Sequence, residues 1–226
     1  MSMTEDEYAY DEYMTQLYEE HKKEAIEEFT FERLQSYYSD HRRSAEPAFN
    51  ALTEARALTV VNATAGLVFA AIAMEVGLKE TLLKPIVSGL VHTASVASLV
   101  TDLVVSHQSM DRYRALLLQT LREHGGVDLD TYKRPKSKKP IWQEIKEVQR
   151  KRNLIVHKAE SASKEDATLA MGVAGTIVEG LFPEVVKKMG LHLHEGFRIC
   201  DDWKCEHPEM PHGPIVEALR LRLKKP

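Results

Sequence analysis

The run Arg150-Lys151-Arg152-Asn153-Leu154-Ile155-Val156-His157-Lys158 brings three residue types with complementary chemistry close together. On a helix, Asn153 and His157 are four residues apart and share a face. Arg152 sits about 100 degrees round from Asn153, with a side chain long enough to swing toward it. A histidine with an unperturbed pKa of about 6.5 can take the proton of a 2′-hydroxyl or return one to a leaving oxygen. An arginine can donate two hydrogen bonds to a crowded phosphate, and an asparagine can orient either partner. These groups suit metal-free cleavage of RNA, with Arg152 and His157 catalytic and Asn153 beside them. A lone histidine on a helix face is more often a packing or surface residue, so the reading leans on its surroundings.

The helix that must carry this run opens at Pro140. Its apolar residues at 141, 145, 148, 155 and 159 form a core-facing stripe into which position 152 falls. An arginine pointing inward needs a carboxylate, a phosphate or a dimer mate, because an unpaired buried guanidinium is strongly destabilising. Glu75 is the candidate acid, lying in the stripe of Val68, Ala71, Ile72 and Lys79 on the most apolar helix of the chain. An Arg152–Glu75 pair is therefore expected. The alternative is an Arg152 that snorkels to a wet surface.

Other elements follow from breakers and periodicity. Thr4 to about Ser44 has no Gly or Pro and reads as one long helix or two shorter ones, closed by the break at Glu46-Pro47. Ala48 to about Leu83 reads as a single helix, and Pro85 as the start of another that runs to about His124 and ends at Gly125-Gly126. A Lys/Pro loop spans Asp128 to Pro140. The helix carrying the run follows, then a turn at Ser161 to Ser163 and a last helix from Lys164 to Met189. No strand-like alternation appears before residue 190, so the fold class is all-α: an acidic helical extension over 1–47, a helical bundle over 48–189 and a short irregular tail over 190–226.

The uncharged window Ala57 to Met74 is near the lower limit for a membrane span. Its Asn62, Thr64, Gly66 and six alanines favour a buried core helix instead. The second apolar stretch, Ile86 to Val105, is interrupted by Ser88, His92, Thr93, Ser95, Ser98, Thr101 and Asp102, so two alanine-rich helices packed at the heart of a bundle are expected. With no basic-then-apolar leader and only Cys200 and Cys205, a cytoplasmic protein with no membrane partner is the expectation.

A net charge of -4 over 226 residues would argue against nucleic acid, but the total hides a cancellation. Residues 1–50 hold 13 acids and five bases, a net of -8, whereas residues 133–158 hold ten bases and two acids, a net of +8. Charge is felt over roughly 8 Å in cell salt, so the local values decide. Such runs are usually solvated faces. Here Lys136, Lys138 and Lys139 precede the helix, and Arg150, Lys151 and Lys158 flank the run, where they could guide an RNA backbone. The acidic arm could lie over the same place and compete.

Arg152-Asn153-Leu154-Ile155-Val156-His157 resembles the signature of the HEPN family (higher eukaryotes and prokaryotes nucleotide-binding domains), an Arg, four to six residues, then a His, often with Asn after the Arg. The alanine-rich helix ending Ile72-Ala73-Met74-Glu75 looks like the family's earlier core helix with its acidic residue. The resemblance covers about residues 50 to 185. It implies an α-helical bundle that dimerises so that two motifs face one cleft, and a metal-independent endoribonuclease, needing no cofactor, of the kind found in toxin–antitoxin and abortive-infection systems. By that resemblance Arg152 and His157 are catalytic, Asn153 supports them and Glu75 orients Arg152. RNA, a second copy of the chain and an antitoxin or regulatory protein would be the partners. Some relatives carry a tyrosine, modified by a nucleotidyltransferase, two residues after the histidine; Ala159 stands there instead, which speaks against that control. Other relatives are non-catalytic binding modules, the alternative from a different class.

After Gly190 the composition changes, with His192, His194, Cys200, Cys205, His207 and His212 alongside Trp203 and three prolines. These are zinc-capable types, yet Cys-x4-Cys is wider than the usual knuckle and the order matches no standard site. The default expectation is no metal and a loop or short hairpin packed on the bundle, with a short basic helix from Ile215 to Lys225.

Overall fold

A computed structural model of the chain describes residues 10, 12–17, 21, 32–90, 114–123, 126–202 and 205. Residues 12–17 and α1 (32–40) are helical. Then come α2 (Glu46–Val61), α3 (Ala63–Val76), α4 (Lys84–Leu90), α5 (Arg114–Glu123), α6 (Ile141–Lys158), α7 (Lys164–Gly175) and α8 (Phe182–Lys188), followed by strands β1 (His192–His194) and β2 (Arg198–Cys200). The all-α fold class holds, the one departure among the described residues being that hairpin. The expected helix from Ile215 to Lys225 lies outside the described residues, as does about half of the acidic extension.

The stretch read as one helix from Ala48 to Leu83 is two. Asn62 leaves the helical region at φ -148° and ψ 104°, and its side-chain Oδ1 accepts the Ala65 N–H at 3.1 Å. It ends α2 and caps α3 in one residue, a job asparagine does well because its amide stands in for the missing backbone partner. The chain folds back there, so the uncharged window is bent at its middle. A Cβ on Gly66 would lie 2.0 Å from Thr59 Oγ1 and 2.8 Å from Thr59 Cα. Only glycine lets the two helices approach so closely at the bend.

Alanine-rich helices do pack at the centre, α7 among them against α3; the expected pairing with the 86–105 stretch falls on residues of which 91–105 lie outside the described residues. Ala70, Ala71 and Ala73 of α3, Ala48 and Ala55 of α2, and Ala167, Ala170 and Ala174 of α7 are all fully buried. Leu52, Leu67, Met74, Leu78, Leu82 and Phe182 fill the space between them. One continuous helix among the described residues, 164–188, is long and apolar enough to cross a membrane, and half of its most apolar window is buried inside the protein.

Pro85 does not start a helix. The chain runs from α3 through a π-helical segment, Gly77–Leu83, into α4 without leaving helical angles. A second π segment, Thr176–Leu181, joins α7 to α8 just before Pro183. Each ends two residues before its proline, and the Lys84 and Phe182 N–H groups reach back five residues, to Lys79 and Ile177. The wider turn relieves the clash a proline ring makes with the carbonyl four residues earlier, so the helix passes through with a change of pitch.

Pro85 also has no N–H to give the Thr81 carbonyl. Tyr38 of α1, itself 1% exposed, donates its hydroxyl to that oxygen at 2.8 Å. Leu34 is equally buried, so α1, read as part of the acidic extension, belongs to the core. Burial, with neighbouring Tyr37 adding, pushes the Tyr38 hydroxyl above the ordinary tyrosine range. Its contribution to stability is then complete below about pH 10, the unfolded value, and declines as pH rises past it, since only the unfolded chain ionises. Tyr38→Phe should lower stability at neutral pH by about 1–3 kcal/mol and flatten the alkaline loss of Tm, measured by thermal melts between about pH 8 and 11. Gly66→Ala should cost about 1–3 kcal/mol by the same measurement.

Candidate functional site

α6 is built to hold its own motif. Pro140 opens it without needing a hydrogen-bond donor, and Ile141, Trp142, Ile145 and Val148 are buried on its inner face, with Ile155 packed partly against the core. Ala159 is not part of the stripe: it ends the helix in the left-handed region at φ 52°. Its N–H returns to the Ile155 carbonyl at 3.0 Å. The next helix starts at once, because Ser163 and Asp166 form a reciprocal capping box. Lys151 reaches across to Asp166 at 3.1 Å, and the Ala162 N–H donates to Thr64 Oγ1 at 2.9 Å. Desolvation pushes the Asp166 carboxyl up, but the Ser163 N–H and Lys151 outweigh it and hold the group below its ordinary value.

The Arg152–Glu75 pair is present. Arg152 Nη2 donates to both carboxylate oxygens of Glu75 at 2.6 Å, and Nη1 donates to Asn153 Oδ1 at 3.0 Å. The side chains are 28% and 19% exposed, so the pair sits at the edge of the core with one side toward water. The snorkelling alternative fails because Glu75 intercepts the guanidinium before it reaches bulk solvent. Asn153 and His157 are exposed, in adjacent turns of one helix face. Glu75 and Asn153 leave the Nε–H and one Nη1–H of Arg152 for a further acceptor.

Since Thr64 meets Ala162 while Glu75 meets Arg152, α3 and α6 run antiparallel. Ile72, one turn before Glu75, and Val156, one turn after Arg152, therefore stand at similar heights beyond the pair. They are 40% and 56% exposed, and Val60 and Val61, at the bend toward the same end, are 88% and 84% exposed. Between residues 32 and 205 these four are the exposed large hydrophobics among the described residues. Periodicity found Arg152 and Glu75 but not the neighbouring exposed Ile72 and Val156, because each is unremarkable until the antiparallel pairing of α3 with α6 brings them to similar heights.

The six cations divide. Lys139 pairs with Glu147 at 2.7 Å and Lys151 with Asp166 at 3.1 Å, so both already serve the fold. Lys136, Lys138, Arg150 and Lys158 are exposed and form no ion pair among the described residues. Arg134, counted in the same basic segment, turns inward to Glu144 at 2.8 Å; that carboxylate is 3% exposed and also accepts from Ser137 Oγ.

In the tail, His192, His194, Cys200 and Cys205 converge. His207 lies outside the described residues. The expected short hairpin is there and carries three of these side chains.

No protein-family model, curated protein or solved structure matches the chain. A double-mutant cycle with Glu75→Gln and Arg152→Lys should give a coupling energy of about 1–3 kcal/mol in chemical unfolding, and a coupling near zero would remove the pair from the account. Ser163→Ala should cost about 1 kcal/mol by the same assay, through loss of the cap.

Proposed function

We propose that the chain is a metal-independent endoribonuclease of the HEPN type that acts as a homodimer, in the manner of a toxin or antiviral effector. The observation that carries this reading is the clamp on Arg152: Glu75 and Asn153 fix the guanidinium at the edge of the core with donors to spare, and Asn153 stands one helical turn from His157. A structural ion pair alone needs neither the asparagine nor the neighbouring exposed histidine.

The chemistry follows from the donors. Arg152 binds a bridging phosphate and stabilises the charge that grows on it as a ribose 2′-oxygen attacks phosphorus. A base removes the 2′-proton and an acid protonates the departing 5′-oxygen, leaving a 2′,3′-cyclic phosphate. One chain supplies one motif histidine, and two roles need two groups, so a second copy completes the site. The exposed Ile72 and Val156, one turn from Glu75 and Arg152 respectively, support that face as the one covered. The exposed Lys136, Lys138, Arg150 and Lys158 supply a path for the RNA backbone.

Wild type incubated with total RNA should release fragments with cyclic phosphate ends, and His157→Ala should lower the rate by about 100- to 10,000-fold. Arg152→Ala should do likewise while circular dichroism stays unchanged. RNA left intact by wild type, or cut equally by both variants, would leave the second reading, a non-catalytic helical module that binds nucleic acid, nucleotide or a partner protein. Val156→Asp should sediment as a monomer and lose cleavage; an active monomer would sink the two-chain site.

A further inference from the structure

The C-terminal hairpin gathers a second constellation. β1 and β2 pair antiparallel, with His192 opposite Cys200, Leu193 opposite Ile199 and His194 opposite Arg198. Leu193 and Ile199 are buried in the core, so one face of the ribbon is apolar. By the alternation of a strand, His192, His194 and Cys200 share the other. The chain then turns, with the Cys205 N–H donating to the Asp202 carbonyl at 3.0 Å, and brings the Cys205 thiol to that same face. The four side chains offer two imidazole nitrogens and two sulfurs, all within 4.8 Å of one another.

Hydrogen bonding alone does not account for the contacts. His192 Nε2 lies 3.2 Å from His194 Nε2 and 3.2 Å from Cys205 Sγ, and Cys205 Sγ lies 3.4 Å from His194 Nε2. An imidazole Nε2 carries one hydrogen or one lone pair, aimed in the ring plane, and cannot direct it at two neighbours together. Lone pairs aimed at one shared centre satisfy all of them. Bonds of about 2.05 Å to nitrogen and 2.3 Å to sulfur in a tetrahedron place N···N at about 3.3 Å and N···S at about 3.6 Å. The three spacings among His192, His194 and Cys205 lie within about 0.4 Å of those values, and the Cys200 sulfur is within 4.8 Å of each.

We propose that His192, His194, Cys200 and Cys205 bind one structural zinc ion. Two thiolates cancel the charge of the dication, so the closed site is neutral, as suits His192 at 4% exposure. Four protein ligands leave no position for water, so the ion serves structure and not catalysis. It joins the segment after β2 to the hairpin, and the hairpin is itself fastened to the turn between α1 and α2: the Ile199 N–H donates to the Arg42 carbonyl at 2.9 Å, and Arg42 pairs with Asp201 at 2.8 Å. None of the four ligands belongs to the Arg152 site, so this proposal stands apart from the ribonuclease reading.

The full chain, expressed in zinc-containing medium and purified without a histidine tag, should carry about one zinc per chain, as a closed four-ligand site requires. Less than about 0.1 per chain overturns the proposal, as does a Cys200–Cys205 disulfide in metal-free protein prepared under reducing conditions. His194→Ala and Cys205→Ser should each lose most of the metal while circular dichroism keeps the helical signal. Should either variant fail to fold, cobalt added to chelator-stripped wild type decides the matter. A thiolate-to-cobalt charge-transfer band with tetrahedral d–d absorption is expected, and its absence overturns the site. Stripping should also lower Tm, with zinc restoring it.

Discussion

Close enclosure of α3 by α2, α6 and α7 is the constraint from which the rest of the bundle follows. Its alanines and Gly66 let neighbouring backbones approach to the distance at which methyl groups interlock. That density leaves almost no room for charge. Glu75 is the single charged residue of α3 and lies at its far end. Arg152 meets it from α6, so the position that completes the packing of α6 on α3 also fixes the group with most to offer a phosphate. Structure and candidate chemistry share one ion pair.

The two prolines show how strain becomes attachment. Each is carried inside a continuous helix by a π segment, and the carbonyl that Pro85 leaves without a donor is where Tyr38 anchors α1. An element that composition assigns to an acidic extension is thereby tied into the core by one hydroxyl and by the burial of Leu34. What remains of the acidic segment is attached to this helix, and a truncation that spares the fold has to stop before it.

On the proposed ribonuclease reading, the single chain holds half of a site. It has a clamped cation, a histidine, the exposed Ile72 and Val156 beside the pair, and four exposed lysines and arginines that form no ion pair among the described residues. The zinc proposal concerns a different need, the fastening of the C-terminal segment to the α1–α2 turn. The two are separate in residues and in chemistry.

The helical class, the boundaries at Pro140 and Ser163 and the Arg152–Glu75 pair were legible in the chain, because they rest on local rules: periodicity, caps, and the cost of an unpaired charge in an apolar stripe; the break expected at Glu46-Pro47 falls instead at 41–45, and Glu46 already belongs to α2. Residues whose meaning depends on distant partners were not legible. Asn62 reads as one polar residue in an apolar window until the helix bends there. Pro85 reads as a stop until a π turn accommodates it. Arg134 and Lys151 read as free cations until Glu144 and Asp166 meet them. The two cysteines and two histidines of the tail read as poorly spaced ligands, because spacing along the chain measures contour length, whereas a ligand set is defined by distance through space. Only the antiparallel pairing of β1 with β2 and the turn at Asp202 turn the one into the other.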